Sequence, residues 1–322
     1  MPPVERFERV DTEAPALSTG SAPVVVGLGP VDPALVLPYL PENVVFVAEP
    51  SVSDLAVAEG ALVRAAYDVN LPLLERMPRL GVVARTGVGV DRVDVAACAE
   101  RGIAVAVTPG SNSRAVAEGA FAMIASLVKR VGESDAFVAS GRWGVDSVPV
   151  PGDLYGKALA VLGYGRIGRI IAGFGEAFGM RVMVHDPYVQ SESYENVSLG
   201  EAVRGADAIT LHLPGGGGEL LPIELLRTAR PGLVLVNCAR ADLIDTETLR
   251  TALDEGVLGG AGLDVFATEP VQEHPLAGDA RVLLSPHTTG LSEGAMAATF
   301  RMAAEAVSAT FAGGAPAFIA QA

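Results

Sequence analysis

Aromatic side chains are scarce in this 322-residue chain: they make up 5% of it, with a single tryptophan. A core built without them must be filled by Ala, Val, Leu and Gly. Small and branched side chains of that kind suit parallel strands covered by helices on both faces. Cysteine is rarer still. Cys98 and Cys238 stand far apart with no metal-ligating neighbours, so they read as ordinary reduced thiols and no metal site is expected. No run reaches the roughly 18 uninterrupted apolar residues that a membrane span requires. Positive charge is also short: 23 Lys and Arg against 38 Asp and Glu leave a formal −15. That excludes binding to nucleic acid or to an anionic membrane through bulk charge. Any anionic ligand needs a local pocket made from a few arginines and helix N-termini. From Met1 to about Ala22 the chain mixes charge with Pro, Ser and Thr and has no apolar stretch, so no signal peptide is expected and a cytoplasmic protein is.

What is present is alternation. The length suits two domains, each burying its own core. Val24–Leu28 opens a series of short apolar runs, continued by 44–48, 81–84 and 104–107, and 93–101 has helical spacing ending at Gly102. From about Arg114 to Ser140 comes a long helix-favouring stretch suited to joining two domains, with Gly132 and Gly141 as places where it breaks or ends. A second alternation follows, with strands expected at 158–162, 181–185, 208–213, 233–237, 260–263 and 282–285 and a closing helix at about 293–311. The expectation is α/β throughout, two Rossmann-like or flavodoxin-like doubly wound parallel sheets. The run Gly215–Gly218 leads into no strong helix start and reads as a flexible loop rather than a phosphate cradle.

Gly163-Tyr164-Gly165-Arg166-Ile167-Gly168 lies between an expected strand and an expected helix. In that context the G-x-G-x-x-G pattern points to a dinucleotide. The first glycine allows the tight turn, the second lets backbone approach the pyrophosphate, and the third allows close helix–strand contact; the helix N-terminus then supplies N–H donors. Asp186, 18 positions after Gly168, ends the next strand. A carboxylate there accepts from both ribose hydroxyls and repels a 2′-phosphate, and no Arg or Lys follows in 187–190. NAD is therefore expected over NADP.

Three further segments sit at expected strand ends, where open α/β sheets bind ligands: Asn237–Arg240, Gly262–Pro270 and Ser285–Gly290. Oxidising an alcohol needs a base, and histidine titrates near neutral pH. A carboxylate bonded to the imidazole favours its protonated form. A guanidinium holds a carboxylate and polarises a carbonyl. His287, Glu269 and Arg240 make that set.

Together with Arg85-Thr86-Gly87-Val88-Gly89-Val90-Asp91, Asn112-Ser113 and Ala117-Glu118, these motifs resemble the D-isomer-specific 2-hydroxyacid dehydrogenases, most of all their phosphoglycerate dehydrogenase branch. The resemblance runs from about Val24 to Phe311. It implies Arg240, Glu269 and His287 as the catalytic set. It implies cofactor contacts at Thr108, Gly163, Gly165, Arg166, Ile167, Gly168, Asp186, Leu213, Pro214, Cys238, Ala239, Arg240, His287 and Gly290, with Asp264 near the nicotinamide amide. Substrate contacts are implied at Arg85, Val88, Gly89, Asn112, Arg240 and His287, with Arg85 placed to meet a group beyond the alpha carbon. The implied organisation is an NAD-binding domain, 119–287, inserted into a substrate domain of 1–118 and 288–322, with a cleft between them. A homodimer held through the long helix and arm of the cofactor domain is implied too, in a short form without a regulatory domain. Two departures stand out: Ala241 follows Arg240 where the family usually has glycine, and the loop after Pro214 is short and glycine-rich, without the familiar threonines. The small 2-hydroxy or 2-oxo acid stays open among 3-phosphoglycerate, hydroxypyruvate or glyoxylate, and a phosphonate-type acid. A non-catalytic, NAD-sensing role like that of the related corepressors is the alternative of another class.

Overall fold

The computed structural model describes residues 22–64 and 66–320, so the reading of the first 21 residues lies outside the described residues. The chain forms two compact units. One is Ser113–Ser292; the other joins the described residues up to Asn112 to those from Glu293 onward.

In the discontinuous unit, β1 (Val24–Leu28), β2 (Val45–Val47), β3 (Gly60–Val63), β4 (Val82–Arg85) and β5 (Ala104–Ala106) form one parallel sheet in the order β2-β1-β3-β4-β5. This is the flavodoxin-like order, doubly wound about β1 and β3. Alternate residues of one strand feed different cores: Val26 and Leu28 pack on one face, Val25 on the other. Such two-sided burial is why the strands are nearly continuous apolar runs. The helix Glu293–Phe311 covers the second face through Phe300, Ala303, Ala304 and Val307.

In the continuous unit, β6 (Ala158–Leu162), β7 (Arg181–His185), β8 (Glu195–Asn196), β9 (Ala208–Leu211), β10 (Leu233–Asn237), β11 (Leu258–Leu263) and β12 (Val282–Leu284) form a parallel sheet. Its order is β12-β11-β10-β9-β6-β7-β8, the Rossmann order with one strand added. The direction of winding reverses between β6 and β9. Ala158, Ala160 and Leu162 bury on one face and Leu159 and Val161 on the other. The helix Ser113–Val128 packs on β10 and β11 and on the helix Arg166–Ala177, where Phe121 meets Phe174 and Phe178.

Three elements differ from the sequence expectation. β3 goes unrecognised because Gly60-Ala61-Leu62-Val63 sits in an alanine-rich, helix-favouring stretch; it becomes a strand because β1 and β4 pair with it from both sides. β8 is only two residues long, at the sheet edge. The long helix is two, Ser113–Val128 and Val131–Ala139, and the break lies at Arg130 (φ 52°) rather than at Gly132. Gly141, at φ 68°, follows the second helix. Residues 215–218 form a loop, as expected.

Cys98 and Cys238 are both buried and unpaired by disulfide, and burial pushes their thiols up to about 11 and about 12. Among the described residues no helix is long and apolar enough to cross a membrane, and no three His, Cys, Asp or Glu side chains are grouped to hold a metal.

Candidate active site

Because the strands of the Ser113–Ser292 unit run parallel, all their carboxyl ends lie on one edge of the sheet. Gly163 leaves β6, Asp186 leaves β7, Leu213 follows β9, Cys238–Arg240 follow β10, Asp264 follows β11 and His287 follows β12.

The dinucleotide fingerprint lies at the point where the winding reverses. Gly163 adopts φ 99°, and a Cβ on it would lie 2.5 Å from the carbonyl oxygen of His212, at the exit of β9. Glycine is thus required both by the turn and by the neighbouring strand. A Cβ on Gly168 would overlap the carbonyl oxygen of Gly163. Gly165 caps the helix Arg166–Ala177 without any side-chain hydrogen bond, and the space around its Cα is open. The first N–H groups of a 12-residue helix are therefore left for an anion, which fits a dinucleotide pyrophosphate. Arg166 is exposed and Ile167 half-buried in that first turn, and Leu213 and Pro214 follow β9 across the reversal. Asp186 binds the loops around it: Oδ2 accepts from the Tyr164 N–H (2.7 Å) and Oδ1 from those of Tyr188 (2.8 Å) and Val189 (2.9 Å). It ties the end of β7 to the fingerprint turn with lone pairs to spare for a ribose.

Arg240 caps a short 3-10 turn, Ala241–Leu243, in extended conformation (φ −144°). Its shape is set by Asn237, which is fully buried: Oδ1 accepts from Ala239 N–H (3.0 Å) and Nδ2 donates to the Arg240 carbonyl (2.8 Å). The Arg240 Nη1 donates to the Ala239 carbonyl (2.9 Å). The glycine run packs here. Gly216 N–H donates to Asp242, and a Cβ on Gly215 would run into Asp242 Oδ1 and the Arg240 side chain. Residues 215 and 216 thus pack against Arg240 and Asp242.

His287 Nδ1 lies 2.8 Å from Glu269 Oε2, and Glu269 Oε1 accepts from the Phe266 N–H (3.0 Å). A carboxylate only accepts, so Nδ1 carries the hydrogen and Nε2 is the atom left to exchange a proton. The His287 side chain is 52% exposed. Asp264, by contrast, is 1% exposed, and its carboxylate is occupied by Thr288 and Thr289 in the same loop as Gly290. Cys238 and Ala239 lie in the turn between β10 and Arg240.

Arg85, Val88, Gly89, Thr108 and Asn112 belong to the other unit. Arg85 is buried at the end of β4, and the Thr86 hydroxyl donates to the Val63 carbonyl (3.1 Å). Thr108 spends both its N–H (3.0 Å) and its hydroxyl (3.3 Å) on the carbonyl of Gly87, fastening the glycine loop that carries Val88 and Gly89 to the end of β5. Asn112 is half-buried beyond it.

Sequence reasoning did not single out Asn237, Asp242 or Thr289 as residues that shape this edge. Asn237 left a signal, an amide ending an apolar strand. Asp242 and Thr289 left none, since their partners are 26 and 25 positions away.

Residues 121–289 match the family model described as the NAD binding domain of the D-isomer specific 2-hydroxyacid dehydrogenases. The chain is 38% identical over 237 residues to a D-3-phosphoglycerate dehydrogenase of Mycobacterium leprae, covering 71% of this chain and 45% of that one. It spans about half the length of the curated relatives it matches. Among solved structures it resembles a Thermus thermophilus protein (TM-score 0.83, 31% identity, 92% of this chain and 99% of that one). It also resembles an NADPH-dependent glyoxylate/hydroxypyruvate reductase of Sinorhizobium meliloti (TM-score 0.82, 28% identity, 92% and 97%).

His212 bonds Thr210 Oγ1 through Nε2 (2.9 Å), and its Nδ1 is buried without a partner. Burial pushes the imidazole down to about 3. The folded protein therefore keeps it neutral while the unfolded chain protonates it near pH 6.5. Its contribution is complete above about pH 6.5 and is lost as pH falls toward 3, at up to about 1.4 kcal/mol per pH unit. Urea midpoints measured at pH 7, 6 and 5 are expected to fall less steeply for His212→Gln than for the unsubstituted protein; parallel declines would contradict this.

Proposed function

Because this chain belongs to the D-isomer-specific 2-hydroxyacid dehydrogenase family, we propose that it is an NAD-dependent oxidoreductase of small D-2-hydroxy and 2-oxo acids. The observation that carries this reading is the His287–Glu269 pair on the same sheet edge as a dinucleotide fingerprint. A nicotinamide cofactor held by the Gly163–Gly168 turn and Asp186 would supply or take up the hydride at C2 of the acid. Arg240 holds the substrate carboxylate in its planar fork and polarises the carbonyl oxygen. His287 gives a proton from Nε2 to that oxygen in reduction and removes it in oxidation, while Glu269, accepting from Nδ1, stabilises the imidazolium and fixes the tautomer of the neutral ring. Asp186 selects the coenzyme. Ser113–Ser292 serves as the cofactor domain.

Similarity to phosphoglycerate dehydrogenases supports a phosphoglycerate-type substrate. Similarity to the Sinorhizobium reductase supports a second reading, reduction of glyoxylate or hydroxypyruvate. The absorbance of NADH at 340 nm, followed with a panel of 2-oxo acids including 3-phosphohydroxypyruvate, separates them. Absence of turnover on every member would overturn the enzyme reading.

Self-association is proposed through the segment after Arg130. The helix Val131–Ala139 buries none of its residues, and Trp143, Val145, Val150 and Tyr155 follow it, each more than two-thirds exposed. A succession of exposed apolar side chains of that kind fits an interface with a second copy.

His287→Ala loses roughly 10²–10⁴-fold in kcat with NADH affinity kept, and Glu269→Gln lowers kcat as well, because an amide in place of the carboxylate no longer fixes which ring nitrogen carries the hydrogen. Near-normal kcat in the His287 variant would remove it from the mechanism.

Comparing kcat/KM for the two coenzymes at one substrate concentration, NAD should exceed NADP by about 100-fold or more, since the Asp186 carboxylate repels a 2′-phosphate. Parity would mean that Asp186 serves only its three backbone donors.

Val145→Lys converts a dimer to a monomer by light scattering. Trp143, the lone tryptophan, reports the same event by a red shift of its emission. A monomeric unsubstituted protein would end the dimer proposal.

A further inference from the structure

His287 is one of two described non-glycine residues with positive φ, at 56°. An L residue in the left-handed region is strained unless its surroundings over-determine it. Its bond to Glu269 cannot supply that constraint, because the His287 side chain is half in water and exposed ion pairs contribute little. The constraint comes from the two residues that follow. Thr288 N–H donates to Asp264 Oδ1 (2.9 Å), Thr289 N–H to Asp264 Oδ2 (3.2 Å), and the Thr289 hydroxyl to that same Oδ2. Asp264 is itself anchored: it is 1% exposed, and its N–H donates to the Asn237 carbonyl (3.0 Å). A carboxylate that deep in the protein needs such donors, and charge-assisted bonds of this kind are the strong ones.

Thr289 is gripped from its other side as well. A Cβ on Gly119, in the helix Ser113–Val128, would lie 2.8 Å from both Cβ and Cγ2 of Thr289. Gly119 therefore makes the seat in which the threonine methyl rests while its hydroxyl reaches Asp264. On the other flank, His287 N–H donates to the Ser285 carbonyl (2.9 Å), and the Ser285 and Thr288 hydroxyls lie 3.0 Å apart.

We propose that Thr289, seated on Gly119 and bonded to Asp264, is a positioning residue that sets the backbone of His287 and so aims its imidazole at Glu269. Asp264 then acts chiefly on the histidine loop, through three donors of that loop. The proposal rests on the dehydrogenase reading for its kinetic consequence but not for its structural one.

The test uses Thr289→Val, which keeps shape and removes the hydroxyl, Thr289→Ser, which keeps the hydroxyl, and Gly119→Ala, which fills the seat. In the full chain, kcat should fall roughly tenfold for Thr289→Val, as expected for a lost hydrogen bond to a charged group. Thr289→Ser should stay near the unsubstituted value, and the dissociation constant for NADH, from its fluorescence, should not change in either. The four histidines, labelled with 13C, give four sets of imidazole cross-peaks, and His287→Ala assigns the relevant one. In the ligand-free protein that peak should move in Thr289→Val and in Gly119→Ala and stay in place in Thr289→Ser. An unmoved peak with unchanged kcat in Thr289→Val overturns the proposal. So does a loss confined to NADH affinity, which would make Asp264 a cofactor contact, or damage from Thr289→Ser with none from Thr289→Val, which would make the methyl the important part. Should the unsubstituted protein reduce no 2-oxo acid, the enzyme reading fails, and the His287 peak still decides the positioning role.

Discussion

Parallel strands in one sheet can be joined only by crossovers that carry the chain back to the edge from which it started. Every strand of the Ser113–Ser292 unit therefore begins at one edge and ends at the other. That constraint gathers Gly163, Asp186, Leu213, Arg240, Asp264 and His287, spread over more than a hundred positions, onto a single line of loops. The reversal of winding between β6 and β9 opens the place where backbone N–H groups face outward. Everything chemical about the unit follows from which side chain stands at which exit.

The exits are organised by carboxylates that take backbone N–H groups. Asp186 accepts three and joins the end of β7 to the fingerprint turn. Asp264 gathers the loop after β12, and Glu269 accepts one N–H while holding His287. The amide of Asn237 does the same for the Arg240 turn. An acidic chain thus uses some of its negative charge to shape loops, and the positive charge at this edge comes from Arg240, Arg166 and a helix N-terminus. Half-exposed His287 and deeply buried Asp264 are two ends of one design: rigidity underneath, solvent access above.

The strands were legible where both faces are buried, because Val24–Leu28, 158–162 and 233–237 are unbroken apolar runs. β3 was not, since alanine and glycine carry little strand preference and its identity depends on β1 and β4 lying beside it. The break at Arg130 was placed at Gly132 from the sequence, although the glycine was tolerated within the helix and the arginine took the left-handed turn.

The candidate site divides along the same line. Residue type and local order alone determined the G-x-G-x-x-G turn between a strand and a helix, the acidic residue closing the next strand, and an arginine, a glutamate and a histidine in the loops that follow three later strands. Those positions depend on neighbours within a few residues and on the chemistry of a single side chain. Only the tertiary structure decided that Asp264 faces Thr288 and Thr289, that Gly119 seats Thr289, that Asp242 fastens the glycine loop over Arg240, and that Gly163 must make room for the carbonyl of His212. Each of these joins residues at least 24 positions apart through contacts of hydrogen-bond or van der Waals length. Such contacts exist only once the strands have paired and the helices have closed over them, and no local pattern of residue types records them.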